Sequence, residues 1–171
     1  MADDRTSRIT HRTYLSYIDK SREYYAAQGY TRPYRWARHG EVSFVRPQRP
    51  LADMRVGVVT TGQPWNPDNV DGSPSGPKEA MAVPASPVPD RVFTSDLFWD
   101  KEHTSTDDLG SFLPLEHLAA LAAEGTIGSV SDRFYCVPTE YSQRRTREQD
   151  GPDVARWCAE DGVDLAILIP L

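Results

Sequence analysis

The fold of this chain is decided by the eight residues from Arg55 to Gly62, which read RVGVVTTG. Three of the first five are β-branched valines, and no polar side chain alternates with them. A run of this kind is typical of a parallel strand that is buried on both faces of a sheet. The segment therefore predicts a central strand of an α/β domain.

Polar and flexible residues follow at the carboxyl end of this strand, namely Thr60, Thr61 and Gly62. Ligands of open α/β sheets bind beyond the carboxyl ends of the strands. Two hydroxyls, free backbone N–H groups and a permissive glycine can hold a carboxylate or a phosphate there. We expect Thr60, Thr61 and Gly62 to bind substrate, and an ordinary turn is the alternative that the spacing allows. No G-x-G-x-x-G fingerprint follows the strand, so we expect no nucleotide cofactor.

A second apolar run, Leu165–Leu171, reads LAILIPL and follows the glycine turn of residues 161–164. This pattern indicates a helix end, a turn and another strand buried on both faces. We expect residues 55–61 and 164–170 to be central strands of a three-layer, Rossmann-like α/β domain with a mostly parallel sheet. The sequence ends on this strand. We therefore expect either a domain that is interrupted at its active-site edge or a domain whose site is formed by earlier segments.

The remaining sequence suggests an arm and a long loop. Residues 1–50 are expected to form an N-terminal helical arm and connector, with a helix from Ile9 to Gln28, and residues 51–171 the α/β domain. The aromatic and basic residues at 31–36 form either a recognition surface or packing contacts with the body or a neighbouring subunit. Seven prolines lie between Gln63 and Asp90. We expect a loop there, acting as a lid or wall or as a flexible insertion.

The charge and composition of the chain limit the classes of partner that it is expected to bind. The net charge is -6, which argues against binding to nucleic acid or to a membrane surface. No run approaches the ~18 apolar residues of a membrane span, and the first residues lack the apolar region of a secretory signal. The two cysteines suggest no disulfide framework. We therefore expect a cytoplasmic protein.

Candidate catalytic groups lie in two places. Asp100 and His103 are close enough in sequence to share a proton. We expect Asp108, in the same segment, to bind substrate. No second ligand group has diagnostic metal spacing, so we expect no bound metal. A turn-forming segment without chemistry is the alternative. Cys136 follows a predicted strand and is the thiol placed to reach the site, although a buried structural role would also explain it.

The chain also resembles a known family, the protein B family of glycine/sarcosine/betaine reductase and D-proline reductase. The similarity covers roughly residues 30 to 171. It is carried by segments in the following order: Arg55–Gly62, Leu97–Asp100 with His103 and Asp108, Phe112–Leu118, Leu121–Ser129, Arg133–Tyr135 and Asp161–Asp164.

The resemblance implies an oxidoreductase subunit that handles a small amino-acid-like substrate. In that family, a cysteine or selenocysteine just after the strand that follows the Asp-Gly-Val-Asp turn reduces a C–N bond. This sequence ends at Leu171, before that position. We therefore expect the redox thiol or selenol to be absent from the chain and supplied by further sequence or by a partner.

Two other functions also fit the sequence, and one of them is not enzymatic. One is a non-redox module that binds a small molecule or assists a pathway. The other is an acid–base enzyme that uses Asp100 and His103. We also expect a second polypeptide or a homo-oligomer, because a short sheet would leave the terminal apolar strand incompletely covered.

Overall fold

A computed structural model of the chain describes residues 17–32, 35, 37–94, 105–139 and 142–171. The chain divides into two compact units, Met1–Ser43 and Phe44–Leu171. The first contains helix α1, Tyr17–Ala27, and Gly29 after it has a φ of 86°. The part of the predicted arm helix from Ile9 to Ser16 lies outside the described residues. No helix in the described ranges is long and apolar enough to cross a membrane.

The second unit is built on a five-stranded sheet in which most neighbours are parallel. A separate two-stranded ribbon pairs Gln63–Pro64 with Val92–Phe93. In chain order the strands are β1 (Arg55–Thr60), β2 (Gln63–Pro64), β3 (Met81–Pro84), β4 (Val92–Phe93), β5 (Ser129–Val130), β6 (Arg133–Cys136) and β7 (Leu165–Ile169). The predicted α/β class with a mostly parallel sheet is confirmed.

Strand β1 lies at the centre of this sheet. Strand β5 pairs with its beginning, at Arg55↔Ser129, and β6 pairs with its end, at Thr60↔Cys136. Strand β7 also pairs with β1, along nearly its whole length. Because a strand has two edges, β5 and β6 share one of them and β7 occupies the other. Every residue of β1 after Arg55 is buried, so the prediction of a central strand at this position is confirmed.

Helices pack against both faces of the sheet. The helices are α2 (Leu115–Ala123), α3 (Gln143–Arg145) and α4 (Gly151–Glu160), and a π-helical turn, Thr146–Asp150, joins the last two. Leu115 and Leu118 of α2 belong to the core that contains Phe134 of β6. Trp157 of α4 stacks on Tyr135, with ring centroids 6.3 Å apart. Since successive strand side chains point to opposite faces, α2 and α4 lie on opposite sides.

Strand β7 differs from the prediction. Among the described residues it pairs with β1 alone, and none of its five side chains is fully buried. Leu168 is 71% exposed. The prediction of a central, fully buried strand over residues 164–170 is therefore wrong. An apolar run indicates that a strand is favoured, but the number of its neighbours depends on which other strands reach it.

The proline-rich segment also differs from its prediction as a continuous loop. It contains β2 and β3, and β3 pairs antiparallel with β6, for example at Ala82↔Tyr135. The three residues before Pro84 are apolar, and they take the hydrogen-bonding edge of β6 that β1 does not use. Proline at a strand end is tolerated because an edge strand needs few donors.

The Asp-Gly-Val-Asp turn connects the end of α4 to the sheet. Asp161 accepts hydrogen bonds from Arg133 (Nη2 at 2.8 Å, Nε at 2.9 Å) and from the Tyr135 hydroxyl at 2.7 Å. Asp164 accepts from the backbone N–H of Arg55 at 2.8 Å and forms an ion pair with Arg49. Gly162 between them has a φ of 65°, a conformation that glycine adopts without strain.

The Arg133 guanidinium holds the pKa of Asp161 below its usual value, and the Tyr135 hydroxyl acts in the same direction. A carboxyl whose pKa is lower in the folded state stabilises the fold above its unfolded pKa, and this contribution is lost as the pH falls through the folded pKa. The contacts of Asp161 therefore stabilise the fold at neutral pH and weaken in acid.

We expect Asp161→Asn to lower the free energy of unfolding at pH 7 by about 1–2 kcal/mol, because charge-assisted hydrogen bonds are lost from a partly solvent-screened site. The difference from the parent should shrink as the pH falls below about 4, near the usual pKa of an aspartate. Urea denaturation at a series of pH values measures both effects. An equal difference at pH 7 and pH 2.5 would contradict this role.

Candidate ligand site at the carboxyl edge of the sheet

Three parallel strands end side by side at one edge of the sheet. Thr60, the last residue of β1, is the pairing partner of Cys136 in β6 and of Ile169 in β7. The predicted site residues Thr60, Thr61, Gly62 and Cys136 are therefore brought to one edge, as the parallel order of the strands requires. We call this edge the carboxyl edge.

The Thr60 hydroxyl and the Gly62 backbone N–H are hydrogen-bonded to each other within the fold. The Thr60 side chain is buried, and its hydroxyl oxygen accepts the backbone N–H of Gly62 at 3.2 Å. A Cβ on Gly62 would lie 3.0 Å from Val92 and 3.5 Å from Phe112. Glycine is needed here because apolar side chains approach the backbone closely. Binding of substrate by Thr60 and Gly62 stays a prediction. It would require the Gly62 N–H to donate to the substrate in place of the Thr60 hydroxyl.

Thr61 is the more accessible hydroxyl of the carboxyl edge. Its side chain is half-buried, and its oxygen accepts the backbone N–H of Leu171 at 2.9 Å. This bond joins the ends of β1 and β7. A threonine hydroxyl that accepts one hydrogen bond can still donate another. Thr61 can therefore donate to a carboxylate while it holds the two strand ends together.

Cys136 is placed at the carboxyl edge but is closed off from solvent. Its side chain is fully buried in the core that contains Val58 and Phe134. Burial raises the pKa of its thiol to about 12. Because the thiolate is the nucleophilic form, this environment opposes catalysis by Cys136 in the closed fold. Its predicted catalytic role would require the edge to open.

The other predicted site residues divide into two groups. Asp100 and His103 lie outside the described residues, so their predicted acid–base roles stay predictions. Asp108 is exposed, and its carboxylate accepts the backbone N–H of Gly110 at 3.0 Å, which begins the short 3₁₀ turn Leu109–Ser111. This capping contact is a structural role, and one carboxylate oxygen can still accept from a ligand.

Two groups near this edge were not among the predicted site residues. Gln63 in β2 follows Gly62 directly and is 6% exposed. Arg91 lies over the ring of Trp65, with its guanidinium carbon 3.9 Å from the ring centroid. Trp65 and Arg91 are 26 positions apart in sequence, and the antiparallel pairing of β2 with β4 brings them together. No local pattern in the sequence indicates that pairing.

In the described ranges, no group of three or more His, Cys, Asp or Glu side chains is arranged to hold a metal ion. The two free thiols differ in their surroundings. Cys136 is fully buried, whereas Cys158 on α4 is half-buried, and burial raises the pKa of both thiols.

We expect a thiol reagent to modify Cys158 before Cys136 in the native protein at pH 8, because Cys158 is more accessible and Cys136 is held as a protonated thiol. Peptide mass spectrometry after timed labelling identifies the modified residue. Cys136→Ser should leave the fast phase of thiol labelling unchanged, whereas Cys158→Ser should remove this phase. Labelling of Cys136 first would show that the carboxyl edge opens readily.

Comparison with known proteins found no matching family model, no matching curated protein and no matching solved structure. The residues and geometry of the chain itself therefore carry the functional inference.

Proposed function

We propose that this chain is the substrate-handling part of a reductase resembling protein B of the glycine/D-proline reductase family, with a three-layer, Rossmann-like domain. It binds a small amino-acid-like molecule at the carboxyl edge. The observation that carries the proposal is the register that aligns Thr60 with both Cys136 and Ile169. Adjacent parallel strands that end together are where ligands of such sheets bind.

The polar groups of the carboxyl edge suit a small zwitterion. The Thr61 hydroxyl can donate to a carboxylate while it accepts the Leu171 N–H. Asp108 lies four residues before Phe112 in the sequence, and its exposed carboxylate can accept hydrogen bonds from an ammonium group. Buried apolar side chains, including Phe112, lie beside Gly62 and would exclude water from a bound ligand.

The reducing thiol or selenol is assigned to a group outside this chain. Attack of its anion on the substrate carbon forms a C–S or C–Se bond and breaks the C–N bond, and the released nitrogen takes up a proton. A second thiol then attacks the sulfur or selenium, the carbon leaves with a proton, and a disulfide or selenenyl sulfide forms. The burial of Cys136, with a pKa of about 12, supports an external source for the first nucleophile.

A non-redox binding module is the second candidate. It is favoured by the fact that neither cysteine of the chain is exposed. It needs the same ligand site at the carboxyl edge but no thiol. Reduction of the bound molecule in the presence of a dithiol and the partner protein would separate the two functions. The acid–base alternative depends on Asp100 and His103.

We expect Thr61→Val to weaken binding of glycine or proline by about 2- to 12-fold, the effect of one hydrogen bond. His103→Ala should weaken it as well. Thr126→Val is the matched control, because Thr126 is exposed in the turn before β5, away from the carboxyl edge. Isothermal titration calorimetry measures each affinity. If Thr61→Val and His103→Ala both bind as the parent does, the site lies elsewhere.

We also propose that the chain associates with a second copy of itself through the edge of β7 that has no strand partner among the described residues. The strand carries no charge, so two copies can pair antiparallel about a twofold axis without opposing like charges. Leu168 is 71% exposed beside this edge.

Light scattering at micromolar concentration should show a dimer, and Leu168→Lys should shift it towards the monomer. Leu121→Lys, at an exposed position of α2, is the control and should leave the dimer intact. A parent chain that is folded and strictly monomeric would rule out this mode of association.

A further inference from the structure

Arg91 is held in place by an aromatic platform. In the ribbon, Gln63 pairs with Phe93 and Pro64 pairs with Val92. The next positions along the two strands are Trp65 and Arg91, which therefore face each other across the ribbon. Their contact is a cation–π interaction, with the guanidinium carbon 3.9 Å from the ring centroid.

The Trp65 ring is itself fixed by the turn that follows it. Gly72 has a φ of +73°, and a Cβ there would lie 2.2 Å from the indole ring. The ring therefore occupies the space that any other residue at position 72 would need. The backbone N–H of Asn66 donates to the carbonyl of Gly72 at 3.0 Å and closes the turn. Arg91 thus rests on a platform whose position is set by the backbone.

The surroundings of the Arg91 guanidinium differ from those of another arginine that stacks on a tryptophan, Arg156. Arg156 lies over Trp157, but its guanidinium also contacts the carboxylates of Asp153 and Glu160 at 2.9 Å. Within the part of the chain that the structure describes, no carboxylate is paired with Arg91, and the residue is exposed. The chain has 25 acidic and 19 basic residues. Among the described residues no group accepts a hydrogen bond from Arg91, so its N–H donors can receive an anion.

Arg91 also lies near the candidate site. Strand β2 begins directly after Gly62, and Val92 would contact a Cβ on Gly62 at 3.0 Å. Trp65 is three residues beyond Gly62, a distance of about 10 Å along an extended chain. Arg91 is therefore near enough to the carboxyl edge for its guanidinium and the Thr61 hydroxyl to contact the same carboxylate.

We propose that Arg91 is the main carboxylate-binding residue for a small amino-acid-like ligand at the carboxyl edge, beside the Thr61 hydroxyl. The planar guanidinium donates two parallel hydrogen bonds to the carboxylate, and stacking on Trp65 removes part of the entropy cost of ordering the side chain. The ligand class rests on the proposed function, whereas the anion site rests on the Arg91 and Trp65 contacts.

The test compares proline with prolinamide, which differ in the carboxylate, together with inorganic phosphate as a second anion. Binding is followed by the ¹H–¹⁵N signal of the Arg91 Nε–H group and by calorimetry. The parent should bind proline at least tenfold more tightly than prolinamide, with a saturable shift of the Arg91 signal. Arg91→Gln should lose this preference, and Arg91→Lys should recover only part of it, because lysine keeps the charge but not the planar pair of donors.

Arg46→Gln is the matched control, since Arg46 is equally exposed and removing it changes the charge by the same amount. It should bind proline as the parent does. Equal binding of proline and prolinamide, or unchanged binding by Arg91→Gln, would overturn the assignment of Arg91. Binding of phosphate without proline would replace the carboxylate with a phosphate ligand and would also overturn it. If Arg91→Gln loses proline binding but Thr61→Val does not, Arg91 stands and the proposed site at Thr61 fails.

Discussion

The hydrogen bonding of β1 along both edges is the constraint on which the rest of the unit depends. With β6 on one side and β7 on the other, the six residues of β1 are enclosed, and five of them are buried. Parallel pairing requires a crossover between strands. The segments that carry α2 and α4 are those crossovers. The helices therefore cover the two faces, and the strand ends open at a common edge.

The two ends of the sheet have different electrostatic characters. Ion pairs gather at the amino end, where Asp161 binds Arg133, Asp164 binds Arg49, and Arg55 binds Asp132. These contacts fix the turn before β7 and the starts of β1 and β6. At the carboxyl edge the described groups are hydroxyls, a buried amide and a thiol, with Arg91 close by. The paired charges at one end stabilise the fold, and near the other end Arg91 has no carboxylate partner among the described residues.

This division also gives physical roles to two short segments, Asp161–Asp164 and Arg133–Tyr135. In Asp161–Asp164 both carboxylates accept hydrogen bonds from the sheet. In Arg133–Tyr135, the arginine and tyrosine are the donors to Asp161, and the phenylalanine between them enters the core on the other face. These residues position the strand ends at the amino end of the sheet.

The sequence by itself determined local features. The valine run predicted a buried strand that ends at the threonines, and the pattern of apolar segments predicted the α/β class. The direction of the parallel strands placed Thr60, Thr61, Gly62 and Cys136 at one edge. These follow from side-chain pattern and from the direction of parallel strands, which are properties of neighbouring residues. Tertiary structure alone decided that β7 pairs with β1 alone among the described residues and that Met81–Pro84 forms a strand. It also decided that Cys136 is buried and that Arg91 stacks on Trp65. Each of these depends on which distant segments meet, and an apolar run or a single arginine has the same local pattern whichever neighbour it finds.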